Sequence, residues 1–405
     1  MGITQMLAKL AVPAIRVLVV EVPGQWSTRV ELEDQMLRRG WRRAWSPADA
    51  DVLAVCGVPG PELTQLVDRL WEQMPGPRVH ADMPSTSTVS SALDDAITLY
   101  IDTTHHKHDA SSRPQEPRLP HDDTDHGSDD AMSHSSHDTM DDDHGGMDHD
   151  SHTDMDHNGH GHMGHSDHAD IDDSGHGGMD HSDHGDMEMS PGGIPLAQGG
   201  PDRDGLEMDV LHLTLGPILA YWPAGLAMNC TLQGDVVVDS DASIVDGHTS
   251  PVPAPGLSPA MRCDNVMSLL ALAGADDLAA RARQTRDHLL RGDHSEAHDG
   301  LERLHRAIRR SWLLRGSLRR VLVLDHLECQ RYGLPASCRG DAYDRMLRTL
   351  TRIQVAVDGG GPTVDDDVSW QVLPDLVIGL ELATLRLGVA SVNLQPLPAH
   401  GVAHD

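Results

Sequence analysis

"ADVLAVCGVPGPELTQLVDRLWEQMPGPRVHADM", Ala50 to Met83, decides the fold of the first part of the chain. Its opening, "ADVLAVCGV" (Ala50 to Val58), is an apolar run of strand length and reads as a buried strand. The next fourteen residues, Pro61 to Met74, place Leu63, Leu66, Val67, Leu70 and Trp71 on one helical stripe, with Pro61 at the start. "PGPRVHADM" then gives a turn and a short strand. Upstream, "IRVLVVEV" (Ile15 to Val22) is another strand. It runs through "PGQW" into a helix that Ser27 can cap, with Val30, Leu32, Met36 and Leu37 on or near one face and Gly40 as the stop. Downstream, "SALDDAITLY" (Ser91 to Tyr100) reads as a capped last helix. Strands alternating with helices predict an α/β domain over residues 1–101, with a parallel, flavodoxin-like sheet.

From residue 102 to 205 the pattern changes to Asp, His, Gly, Ser and Met with few aliphatics. That composition cannot bury enough apolar area to offset an ordering cost of ~1–2 kcal/mol per residue, so a disordered linker is expected. "MDH" recurs at Met147, Met155 and Met179, and "HSDH" at His165 and His181, without a fixed period. Regular patterning resumes with "VLHLTL" and "LAMNCTLQGDVVV", whose alternation predicts strands. Helical spacing follows over Pro259–Ala273, Ala275–Leu290 and Gly300–Leu314, with further helical or mixed candidates at Leu318–Leu327, Asp341–Val357 and Val372–Leu387. An α+β, mostly helical domain is therefore expected over 206–395, before a disordered tail, 396–405.

The formal charge of −32 is unevenly spread. No Lys or Arg occurs from Leu119 to Pro201, while 21 Asp or Glu lie between Leu119 and Met189. Such a balance argues against nucleic acid and anionic lipid as partners and favours cations. The five cysteines, Cys56, Cys230, Cys263, Cys329 and Cys338, form no CxxC pair, which fits a reducing cytoplasm better than a disulfide framework or a structural zinc site. No apolar run reaches the ~18–20 residues of a transmembrane helix.

The stretch "SPADADVLAVCGVPGPELTQLVDRLWEQMPGPR" resembles the 20-kDa subunit of respiratory complex I (NADH:ubiquinone oxidoreductase), itself related to the small subunit of nickel–iron hydrogenases. The resemblance covers roughly Val17 to Ser91. "LHLTLGP", "GLAMNCTLQGDVVVD" and "RCDNVMSLLALAG" are similar to parts of the partner subunit, the 49-kDa or hydrogenase large-subunit type, in a much shortened form. The family would bring a 4Fe–4S cluster held by four cysteines, two of them adjacent after the first strand. Here that loop carries Trp26, Ser27 and Thr28, and the later "MPSTS" turn around Ser85 also lacks a thiol. Hydroxyls do not replace thiolates at such a cluster, so no 4Fe–4S cluster is expected. The quinone-site histidine of the larger subunit is missing from "GPILAYWPAG", which has Tyr221, and the CxxC pairs that hold nickel and iron are missing too.

The strongest chemical signal is the acidic tract. Its candidate metal ligands are His144, Met147, His149, His152, Met155, His157, His160, His162, Met163, His165, His168, His176, Met179, His181, His184 and Met187. Imidazole suits nickel, copper, zinc and cobalt, thioether adds soft metals, and carboxylate adds general affinity. A plain polar spacer has no use for the eight methionines between His121 and Met189. His294, His298 and His305 offer a second, helical set, although Ser295 stands where the zinc-protease HExxH motif needs Glu and Gly300 is expected to interrupt the helix. "DGGGPTVDDD" (Asp358 to Asp367) lacks the Lys-Ser/Thr of a phosphate loop. The expectation is a non-catalytic, cytoplasmic metal-binding protein, peripheral to a membrane complex if it keeps complex I- or hydrogenase-like subunits as partners. Metal storage, delivery or metalloenzyme assembly would be its role. The alternative is an oxidoreductase subunit of a larger redox complex.

Overall fold

The computed structural model describes residues 14–113, 198–201, 207–246, 257–360 and 368–394. The first part holds a parallel four-stranded sheet of β1 (Arg16–Glu21), β2 (Arg42–Arg43), β3 (Val52–Cys56) and β4 (Val79–Met83), ordered β2-β1-β3-β4. Helices α1 (Trp26–Arg39), α2 (Pro61–Gln73) and α3 (Val89–Ile101) connect and follow the strands. The apolar run that reads as a buried strand earns that reading twice. Val52, Ala54 and Cys56 join a core with Leu32, Met36 and Leu93, while Leu53 and Val55 join another with Leu63 and Val67. Successive side chains of a strand point to opposite faces, so both faces of β3 are covered. Each fully buried Leu or Val there contributes ~1.5–3 kcal/mol.

Three local outcomes differ from the sequence reading. Helix α1 begins at Trp26 and is not capped by Ser27; Gly40 does end it, at φ 74°. The two-residue strand β2 is too short to leave a hydrophobic period. Helix α4 (Thr103–Ser112) lies where linker composition begins. It buries no side chain fully and is held by polar contacts instead. The Asp102 carboxylate accepts from the Thr104 backbone N–H at 2.8 Å, and Asp109 pairs with Arg78 at 2.9 Å and Arg113 at 2.6 Å. A helix fastened this way carries no apolar stripe to read.

The second part is mostly helical. It opens with an antiparallel meander, β5 (Gln198–Pro201), β6 (Glu207–Leu215), β7 (Leu226–Gln233) and β8 (Val236–Ile244). Leu226, Met228, Cys230 and Leu232 alternate along β7 and face the main core. Helices α5 (Pro259–Leu272), α6 (Asp276–Arg291), α7 (His294–Arg310), α8 (Trp312–Leu318), α9 (His326–Arg331), α10 (Ala342–Val357), α11 (Leu373–Val377) and α12 (Leu382–Ser391) follow. Gly300, expected to interrupt a helix, lies inside α7. A Cβ there would stand 2.8 Å from Thr285 Oγ1 on α6, so the glycine sets the close approach of the two helices. The helical or mixed candidate over Val372–Leu387 holds two helices, α11 and the start of α12, separated at Gly379 with φ 84°.

Residues 1–117 and 196–405 form one compact unit. The two regions that the sequence divides into an α/β and an α+β domain lie within this one unit. Ile218 and Val245, from the second region, pack on the α2 face of the parallel sheet.

Candidate functional site

The candidate metal ligands from His144 to Met187 lie outside the described residues. What the structure describes is the body that carries them, and its chemistry concentrates where the loop after β1 meets the helical region. That loop is the place where the resemblance implies cluster cysteines.

Here Trp26 and Arg29 sit in the first turns of α1 and reach across to α5. Trp26 Nε1 donates to Asp264 Oδ2 at 3.0 Å, and Arg29 Nη2 donates to the same oxygen at 2.5 Å. Arg29 also donates through Nε to Glu21 at 2.5 Å and through Nη1 to Glu33 at 2.6 Å. From α6, Arg286 Nη1 donates to Glu33 Oε2 at 2.7 Å and to Asp264 Oδ1 at 2.6 Å, while its Nε bonds Asp287 at 2.9 Å. Arg43 on β2 completes the set, 2.9 Å from Glu33 Oε1. Arg286 is fully buried, and Arg29, Glu33, Asp264 and Asp287 are buried too.

Three guanidinium groups thus meet four carboxylates in a desolvated seam. Burial alone would raise the Glu33 carboxyl, but Arg29, Arg286 and Arg43 outweigh it and hold the group well below the usual carboxylate range. At the edges the balance reverses. Burial pushes the Glu21 carboxyl up against the pull of Arg29, and burial raises Asp287 against Arg286. The carboxyls at the ends of the seam, Glu21 and Asp287, are thus shifted in the opposite direction from Glu33 at its centre.

A second polar joint reinforces the first. The Asp246 carboxylate, beyond β8, accepts from the backbone N–H groups of Glu62 at 2.9 Å and Leu63 at 3.0 Å. It caps α2 from the other region, where the helix's own N-cap, Gly60, has no side chain to do so. Tyr221, in the turn before β7, lies 5.1 Å beneath the Arg43 guanidinium and 5.7 Å from the Trp45 ring.

The donor set does not fit a 4Fe–4S cluster. Cys56 ends β3 beside the seam, buried, and burial pushes its thiol up to about 12. Cys230, Cys263, Cys329 and Cys338 are buried in the helical region, and all five are free thiols. Burial likewise pushes Cys263 to about 12 and Cys338 to about 11, the opposite of an activated thiolate. Ser85 and Thr88 are engaged in a local capping box at a 3-10 turn.

His294, His298 and His305 all lie on α7, with Gly300 inside it. His298 Nδ1 is 3.2 Å from Asp358 and 2.8 Å from Gln354 Nε2 on α10. Burial, with Arg309 nearby, lowers the His305 pKa. Among the described residues no group of three or more His, Cys, Asp or Glu side chains is arranged to hold a metal ion. Nor, among them, is any helix long and apolar enough to cross a membrane.

Charged residues on apolar helical faces were the sequence signal for the seam. Arg29 and Glu33 share a face of α1 with Met36, and Asp264 sits within the apolar run of α5. No protein-family model, curated protein or solved structure matches this chain.

Proposed function

We propose that this protein is a non-catalytic metal-binding protein. Its His/Met/Asp-rich segment captures nickel, copper, zinc or cobalt, and its folded body descends from complex I- or hydrogenase-type subunits. The observation that carries the reading is the segregation of ligands. Residues 121–189 contain 15 of the 28 histidines, eight of the 18 methionines and no Lys or Arg. The thiols of the folded body, by contrast, are all buried. The parallel order β2-β1-β3-β4 supports a flavodoxin-like sheet within such a relationship. Storage, delivery or assembly of a related metalloenzyme is the role that suits a body without the family's cluster ligands.

The test is elemental analysis of untagged protein equilibrated with equal, low amounts of nickel, copper, zinc, cobalt and iron, beside a variant lacking residues 121–189. Several equivalents of one metal, lost in the variant, are expected. The metal should also be released as pH falls below about 6, because imidazole binds in its neutral form and has a pKa of about 6.5. Equal metal in both proteins would remove the proposal. Iron with sulfide in both would put the oxidoreductase-subunit reading in its place.

A further inference from the structure

The corner formed by the end of α7, all of α8 and the chain leading to α9 concentrates positive charge. Between Arg303 and Leu324 there are seven arginines, all exposed, and no Asp or Glu. Arg306 pairs with Glu302 at 3.6 Å, and the Arg315 guanidinium stands 5.4 Å from the Tyr343 ring centroid. Arg303, Arg309, Arg310, Arg319 and Arg320 have no carboxylate partner for their side chains among the described residues. Within this basic field stand large apolar side chains open to solvent: Trp312 is 81% exposed, Leu313 68% and Val323 54%; Leu327, 71% exposed, follows at the start of α9 between Asp325 and Glu328.

The pattern follows from how α8 is anchored. Leu314 and Leu318, four residues apart, are buried and fix one side of the helix to the core. Helical periodicity then turns Trp312, Gly316 and Arg319 outward, and a Cβ at Gly316 would meet nothing within 4 Å. After α8, Arg320 and Leu322 adopt positive φ, 66° and 46°, which are strained conformations for residues with side chains. Val321, Leu322 and Leu324 are buried there, while Val323 faces out.

We propose that this corner docks on an anionic lipid surface, with Trp312 and Leu313 entering the headgroup region and the arginines engaging lipid phosphates. A tryptophan four-fifths exposed stands out from the protein instead of lining a groove, so its acceptor must be penetrable. Aliphatic side chains such as Leu313, Val323 and Leu327 have no stacking use on a nucleic acid. Cations ringing protruding aromatic and aliphatic groups are what an interfacial membrane contact needs. The chain's net charge of −32 argues the other way only when treated as uniform. Screening limits each charge to about 8 Å at physiological salt, so the local arginines set the field at this corner.

Co-flotation of the full chain with vesicles of phosphatidylcholine, alone or with about 30% phosphatidylglycerol, tests the proposal. The protein should float with the anionic vesicles only, and less so as salt rises. The pair Trp312→Ser with Leu313→Ser, and separately the pair Arg309→Gln with Arg310→Gln, should each weaken flotation at least about tenfold with unchanged circular dichroism. The variant lacking residues 121–189 should float as well as the full chain, which separates this contact from metal capture. Equal flotation of the Trp312/Leu313 variant would overturn the assignment, as would no flotation of the full chain. Competition by a short RNA that strips the protein from vesicles would reassign the corner to nucleic acid.

Discussion

Acidic residues meet opposite circumstances in two regions of this molecule. In the folded body, Asp264 and Glu33 are buried and each is held by two or more arginines. Between Leu119 and Pro201 the chain offers its carboxylates no Lys or Arg at all. The first arrangement is satisfied from within and holds α1 against α5 and α6. The second encodes no cation of its own, and under the proposed metal capture its carboxylates would act with imidazole and thioether groups suited to transition metals. The same residue type is thus a structural lock in one region and, in the proposed function, a collector of ions in the other.

Removing an internal cation is the most forceful way to break this contrast. Arg286→Met leaves Glu33 and Asp264 short of one partner in a dry seam, and it should cost ~3–5 kcal/mol in denaturant unfolding while metal uptake stays unchanged. A loss under about 1 kcal/mol would show that water reaches the seam and that the two regions' carboxylates differ less than their surroundings suggest. Asp246→Ala tests the other joint. It deletes the cap supplied to α2 and should lower stability by about 1 kcal/mol. The effect should be absent in urea titrations if α2 were docked by its apolar face alone.

The smallest effect concerns the spare carboxylate. Glu21→Gln keeps an acceptor for Arg29 and removes one negative charge, for a change of about 1 kcal/mol or less near neutral pH. Its pH dependence is the sharper readout. A carboxyl whose pKa is raised in the folded state stabilises fully at pH values below its unfolded pKa, and that stability is lost as pH rises through the folded value. Glu33, whose pKa is lowered, works in the reverse sense: its stability is present above the unfolded pKa and is lost as acid protonates the folded group. Stability profiles of the Glu21→Gln variant should therefore lose the decline that sets in as pH rises above the ordinary carboxylate range, and keep the acid limb.

Much of the body was legible from local patterns. The strands around Val19 and Ala54 and the helix from Pro61 emerge from apolar runs and a 3.6-residue stripe because packing there is local in sequence. The seam was not legible, since Arg29 and Asp264 are 235 residues apart and no spacing rule links them. Its only trace was the presence of charged residues on apolar faces. Helix α4 escaped notice for a different reason: Asp102, Arg78 and Arg113 hold it, and none of these contacts is periodic. Gly300 was misread because a glycine that breaks a lone helix can also let two helices touch.

The described residues before and after 118–195 belong to one compact unit, so this tract is an insertion in its sequence. In evolutionary terms this makes the tract a dial. Closing a chain loop becomes costlier only logarithmically with its length, by ~0.6 kcal/mol for each doubling. Repeats such as "MDH" could then be gained or lost by slippage at little cost to the fold; if the proposed metal capture holds, a lineage would adjust its capacity without redesigning the protein that bears it.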